Sequence, residues 1–267
     1  MIGSELATHA GYLLDQARDE LALPSHLSRT LQKLAPAYIK AFGVPEIGMQ
    51  NRIRHVVRVL PNDVGSLVDI GSGAGMLLGE VHRRKKYRRL VGIEPDSRSA
   101  RIARETHNYA EIICDSVQDV SVYHGCFDYA VTVDVMEHVK DEQLDPFLRS
   151  CARLLKVGGK LIVHVPNAVH TRVLKRFDTW GHHDHAREGF SFQQLTGLLS
   201  TAGFRTEKSV KTFNRTAAFA WELNMLAGAK PQQAIVFPLL MALTFCADRF
   251  PTTHHNGILC VAQKLSN

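Results

Sequence analysis

The sequence predicts an α/β fold, a largely parallel sheet with helices on both faces, and three observations carry that prediction. From Ser66 onward, short apolar runs bounded by turn residues alternate with helical patterns near 75–86, 97–107 and 141–155. Strand–helix alternation of this kind is the grammar of a parallel sheet with crossover helices. The runs LVDI (67–70), LVGI (90–93), EIIC (111–114), YAVTV (129–133) and KLIVHV (160–165) are nearly continuous in Val, Ile and Leu, as strands buried on both sides require. The first run opens into a glycine-rich bend, Gly71-Ser72-Gly73-Ala74-Gly75.

Ahead of the sheet, residues 1–60 read as helices. Leu6, Leu13, Ala17 and Leu21, then Leu27, Leu31, Leu34 and Tyr38, recur at helical spacing, and a third helix is expected from about Met49 to Leu60, ended by Pro61-Asn62-Asp63. After the fifth run, Ser191 and Gln194 form a capping box, with Phe190 and Leu195 placed as the hydrophobic staple. Two further strands are expected at 204–212 and 257–264. The stretch between them, 213–256, is far longer than a hairpin loop and holds two apolar helical segments, 216–228 and 232–248.

The chain of 267 residues is 45% hydrophobic and 22% charged, which excludes a disordered or fibrous protein. It is long enough for one domain with attachments: a helical lid or interface segment (1–60) and the main domain (61–267). A net charge of +6 is mild and does not demand nucleic acid. Five cysteines form no CxxC pair, so a disulfide framework or zinc knuckle is not expected. The first twenty residues lack a signal-peptide pattern. The longest uncharged apolar run, between Gln233 and Asp248, is interrupted by Pro238 and falls short of the ~20 residues of a membrane span. A soluble, cytoplasmic protein is expected.

The glycine bend lets a ligand approach the backbone and points helix N–H groups at it. A dinucleotide site would carry GxGxxG, yet position 76 is Met and the third glycine arrives one residue early, at Gly75. Asp69, before the bend, is suited to a cationic amino group. Glu94 ends the second strand, where a carboxylate can accept two ribose hydroxyls, and Asp115 follows the third, placed to receive an adenine amino hydrogen.

These segments, VDIGSGAG, GIEPD, CDS, FDYAVTVDVMEHV and LLKVGGKLIVHVPN, resemble the successive motifs of class I S-adenosylmethionine-dependent methyltransferases over about residues 50–212, with Gly257–Lys264 as the closing strand. The resemblance implies a seven-stranded sheet of order 3-2-1-4-5-7-6 with strand 7 antiparallel, and S-adenosylmethionine as cofactor. It also implies that Asp69, Gly71, Ser72 and Gly73 surround the methionine part, Glu94 binds the ribose, Pro95 flanks the adenine, Asp115 and Ser116 read the adenine edge, and Asp134 lies beside the sulfonium.

The acceptor is not implied. Asp134, Glu137 and His138 stand at i, i+3 and i+4, which a helical turn would gather on one face. His138 is a candidate base for an acceptor hydroxyl. The spacing also resembles the acidic-acidic-His element of ubiquinone-pathway O-methyltransferases, which would suit Mg²⁺; alternatively Glu137 caps a helix and His138 packs under the cofactor. His185, in Trp180-Gly181-His182-His183-Asp184-His185, is a second candidate base, or part of a solvated histidine run, and Asn167 is placed to position an acceptor. No metal ligand is assigned. The basic run His82–Arg89 reads as a solvated connector or a contact for RNA or anionic lipid. DVME stands where base-methylating relatives carry an Asn/Asp-Pro-Pro-aromatic element, which disfavours nucleic acid. The expected activity is O-methylation of a small molecule, glycan or lipid-linked intermediate; the alternative is a non-catalytic cofactor-binding regulatory or partner subunit. The insert 213–256 is a lid, a homodimer interface or a membrane contact.

Overall fold

The computed structural model describes residues 46–169, 185–226, 230–247 and 255–266, with 230–234 described by backbone alone. The first two expected helices and Trp180–Asp184 lie outside the described residues. The chain runs α1 (Ile47–Val59), β1 (Ser66–Ile70), α2 (Met76–Arg84), β2 (Arg89–Ile93), α3 (Ser97–Thr106), β3 (Glu111–Ile113), β4 (Phe127–Val133), α4 (Asp141–Leu154), β5 (Leu155–Pro166), α5 (Phe192–Thr201), β6 (Phe204–Asn214), α6 (Arg215–Leu226), α7 (Lys230–Ala247) and β7 (His255–Lys264). The strands form one seven-stranded sheet in the order β3-β2-β1-β4-β5-β7-β6. Strands β1 to β5 pair in parallel, and β7 runs antiparallel between β5 and β6.

Burial on both faces explains the near-continuous apolar runs. On β1, Val68 and Ile70 join a core that α4 and α5 cover through Leu148, Cys151, Leu195 and Leu199. Leu67 points the other way, into a second core with Val56 of α1, Leu78 of α2 and Ala103 of α3. The same alternation holds on β5, where Leu161, Val163 and Val165 face the first core and Ile162 the second. Strand β5 begins earlier than the sequence suggests, because Leu155 already pairs with Phe127 before the register shift. The crossovers bring the carboxyl ends of the parallel strands to one edge, and the loops leaving that edge build the site.

The insert packs as helices. Phe237 and Leu240 of α7 are buried with Ala220 of α6 and Ile47 of α1, and α7 continues through Pro238. Ile235 and Leu239 face outward, 80% and 75% exposed, so the apolar residues of this helix divide between core and surface. Among the described residues no helix is long and apolar enough to cross a membrane. All five cysteines are free. The basic connector is tied down locally: Arg83 and Arg84 pair with Glu80, Arg89 with Glu111, and Lys85 Nζ donates to the Leu60 carbonyl.

The start of α5 matches its sequence signature. Ser191 Oγ accepts from Gln194 N at 3.2 Å, Gln194 Oε1 accepts from Ser191 N at 2.9 Å, and Phe190 and Leu195 are both buried. Replacing Ser191 with Ala orphans an N–H group and is expected to lower stability by about 1 kcal/mol. A shifted urea midpoint at unchanged slope would show it; an unmoved midpoint would deny the cap any weight.

Candidate active site

The bend after β1 is braced from β2. Gly71 N–H and Ser72 N–H both donate to the Ile93 carbonyl, at 2.8 and 3.1 Å. The Glu94 carboxylate accepts from Gly73 N–H at 2.7 Å and from Asp96 N–H at 2.9 Å. Each carboxylate oxygen keeps a further lone pair after these bonds. Glycine is needed at position 71: φ is +72°, and a Cβ there would lie 2.5 Å from Val135 Cγ2.

A cavity of about 550 Å³ opens at the strand tips, and its wall takes in Gly71, Glu94, Pro95, Ser116, Asp134 and His138. Asp69, Ser72, Gly73 and Asp115 stand outside that wall. Asp69 is buried on β1; burial and the neighbouring Glu94 charge push its carboxyl up to about 8. It therefore holds a proton at neutral pH, where the sequence suggested a free carboxylate. Asp115 is exposed, and its Oδ1 accepts from Ser116 N at 2.8 Å; Ser116, rather than Asp115, faces the cavity.

A second cavity, of about 250 Å³, lies alongside. Arg52, His164, His185 and Glu137 line its polar side, and Phe213 and Trp221 its apolar side. Two residues, Asp134 and His138, belong to both walls.

Asp134 follows β4 with φ +53°, a left-handed conformation rare outside glycine. Its carboxylate receives Arg52 Nε at 2.6 Å and His164 Nδ1 at 2.7 Å. His164 Nε2 pairs with the Thr212 hydroxyl at 2.8 Å. Burial alone would raise the Asp134 pKa, but the Arg52 guanidinium and the His164 imidazole, acting by charge and by hydrogen bond, hold it below the usual carboxylate value. Arg52 comes from α1 and Thr212 from β6. Neither carries a local sequence signal, because each meets Asp134 or His164 only through the sheet.

The expected helical turn over Asp134, Glu137 and His138 is a correction. The segment is a tight turn closed by His138 N–H to Val135 O and Val139 N–H to Met136 O, at 3.0 and 3.2 Å, and α4 starts only at Asp141. Asp134 turns to Arg52 and His164, while Glu137 and His138 meet His185 instead. The Glu137 carbonyl accepts Ala186 N–H at 2.8 Å, and Arg187 clamps the same turn through the Met136 carbonyl at 2.6 Å and Asp141 at 2.5 Å. The His138 and His185 rings thereby meet edge to face, 4.5 Å between centroids. Ligand atoms of Glu137, His138 and His185 all lie within 4.8 Å of one another. Glu137 is buried, its Oε2 has no hydrogen-bond partner among the described residues, and burial together with the Asp134 charge raises its pKa to about 8. Asn167 is used elsewhere: its Nδ2 donates to the His255 carbonyl at 3.0 Å, bracing β5 against β7.

Residues 46–209 match the methyltransferase-domain family. A probable S-adenosylmethionine-dependent methyltransferase of Mycolicibacterium smegmatis is 28% identical over 199 residues, 72% of this chain and 71% of that protein. A ubiquinone biosynthesis O-methyltransferase of Xanthomonas oryzae is 30% identical over 106 residues, 38% of this chain and 43% of its own length. In fold, the chain is similar to a geranyl diphosphate C-methyltransferase of Streptomyces coelicolor, solved with S-adenosyl-L-homocysteine, with a TM-score of 0.58, 14% identity and coverage of 81% and 79% of the two chains. A mycolic acid cyclopropane synthase gives a TM-score of 0.57 at 18% identity, over 79% of this chain and 82% of that one.

Asp69 gives the site a pH signature. Its folded pKa of about 8 lies above the ordinary value of 3.8, so the stability it contributes is complete below about pH 4 and is lost as pH rises through about 8. Asp69→Asn is expected to flatten part of that decline in denaturant melts run across this range, leaving the share of Glu137. A slope identical to wild type would contradict the protonated carboxyl.

Proposed function

The chain belongs to the class I S-adenosylmethionine-dependent methyltransferases, and on that premise we propose that it methylates a hydroxyl of a small molecule, glycan or lipid-linked intermediate held in the 250 Å³ cavity. The observation that carries this reading is the shared wall: Asp134 and His138 border both cavities, so a ligand in each would meet there. The similarity to a ubiquinone biosynthesis O-methyltransferase supports an oxygen acceptor.

The larger cavity fits the cofactor. Gly71, Glu94, Pro95 and Ser116 on its wall are suited to the methionine part, the ribose and the two sides of the adenine; Ser72, Gly73 and Asp115 support them from behind. When bound, S-adenosylmethionine supplies a sulfonium methyl, which passes to an oxygen lone pair as the carbon–sulfur bond breaks and leaves a neutral sulfide. Asp134, held ionised by Arg52, places negative charge beside that position. Asp69 would give up its proton to accept the cofactor ammonium.

The acceptor proton needs a base. Asp134 is committed to Arg52 and His164, and Glu137 holds its own proton. Three imidazoles line the cavity; His164 is engaged at both nitrogens by Asp134 and Thr212, which leaves His138 or His185 to take the hydroxyl proton. Phe213 and Trp221 add aromatic surface to the same cavity, which suits an acceptor with a ring or an alkyl portion. Helices α1 and α6 cap this cavity, contributing Arg52 and Trp221. A second reading rests on the unpartnered Glu137 oxygen: with His138 and His185 it would hold a divalent ion that lowers the acceptor pKa. Loss of activity on chelation, restored by added metal, would favour the ion over the base.

Calorimetric titration with S-adenosylhomocysteine tests the cofactor site: Asp69→Ala and Glu94→Ala are each expected to weaken binding at least about tenfold, the loss of one charge-assisted hydrogen bond. Unchanged affinity in both would remove the placement. Incubation with methyl-labelled cofactor and a cell metabolite extract tests catalysis. His138→Ala or His185→Ala should cut labelling about 100-fold while sparing cofactor affinity. Binding without any labelled product would indicate a regulatory subunit instead.

A further inference from the structure

The early third glycine has a physical cause, and it points to a residue outside both cavities. Gly75 is the N-cap of α2 with φ +84°, and a Cβ on it would stand 2.3 Å from Cδ2 of His107. Gly79, one turn along α2, approaches the same ring: a Cβ there would lie 3.2 Å from His107 Cε1. The His107 imidazole thus fills the space that side chains at 75 and 79 would occupy. It is buried at the C-cap of α3.

Its two nitrogens are both used. Nε2 stands 3.1 Å from the Ala74 carbonyl, which can only accept, so Nε2 bears the hydrogen. Nδ1 pairs with the Tyr109 hydroxyl at 2.6 Å. The Tyr109 ring is itself stacked on His82, with centroids 3.7 Å apart and planes within 9°. The imidazole is held in one orientation by a partner at each nitrogen, and it engages the Ala74 carbonyl. That orients the 74–75 peptide so that Gly75 N–H closes the bend onto Ser72 O at 2.8 Å. The same closed bend presents Gly73 N–H to Glu94 at 2.7 Å.

We infer that His107 is a positioning residue for the cofactor site: through the Ala74 carbonyl it holds the glycine bend in the shape that binds the cofactor, although it lines neither cavity. The inference rests on the cofactor reading given above. It also accounts for the GSGAG spacing, since an imidazole seated against the first turn of α2 leaves no room for a Cβ at position 75.

The variants separate ring volume from hydrogen bonding. His107→Phe keeps a ring and loses the donor; His107→Gln keeps an N–H donor at similar reach. Affinity for S-adenosylhomocysteine is read by calorimetry on the full chain, and the unliganded thermal midpoint is followed in parallel. His107→Phe is expected to weaken binding about 3- to 10-fold, the worth of one neutral hydrogen bond, and His107→Gln to restore most of it whatever the midpoints do. Tyr109→Phe, which removes the hydroxyl that anchors Nδ1, is expected to weaken binding about threefold, and it serves if His107→Phe does not fold. Wild-type affinity in His107→Phe, or in Tyr109→Phe should the former not fold, overturns the inference. So does His107→Gln binding as weakly as His107→Phe. Failure of the wild-type chain to bind S-adenosylhomocysteine would instead sink the cofactor reading itself.

Discussion

The carboxylate of Asp134 is the point on which the site turns. It ends β4 in a backbone conformation that a residue with a side chain adopts at a cost, and two bonds hold it there, from Arg52 and from His164. The first ties α1 to the sheet edge. The second runs through His164 to Thr212, so β4, β5 and β6 all bear on one side chain. Largely withdrawn from water, this carboxylate would otherwise hold its proton more tightly; the guanidinium keeps it charged. Because Asp134 borders both cavities, the same interaction sets the electrostatics of each.

Around it, similar acids are driven to different states by their surroundings. Glu137 is buried beside Asp134; burial and that charge outweigh the pull of Arg52 and Arg187, and it keeps its proton. Asp69 does so under the combined effect of burial and Glu94. Glu94 has two backbone N–H donors, one of them from the glycine bend that it braces. Four carboxyl groups thus supply one fixed charge, two proton-holding sites and one brace, and the difference lies in what each touches rather than in residue type.

Much of this was legible in the chain. Buried parallel strands must be apolar on both faces, so LVDI, LVGI and YAVTV announced themselves. The capping box at Ser191 is a local hydrogen-bond pattern, readable because its partners are three residues apart. The glycine bend was equally plain. By contrast, the helical turn expected after β4 did not form: Asp134 takes a left-handed conformation and the chain tightens into a turn before α4. The grouping that results, Glu137 with His138 and His185, depends on a loop far along the chain that Arg187 fastens to Met136 and Asp141.

What the sequence by itself determined were the properties set by period and by near neighbours, the strand and helix alternation, the caps and the bend, together with the cofactor that the motif resemblance implied. What only the tertiary structure decided were the pairings across the sheet. Arg52 with Asp134, His164 with Thr212, His107 with Ala74 and His185 with His138 join residues whose separation along the chain carries no periodic signal. A charge state is likewise a property of burial and of partners in space, so no reading of residue types could assign a proton to Asp69 or Glu137 and deny one to Asp134.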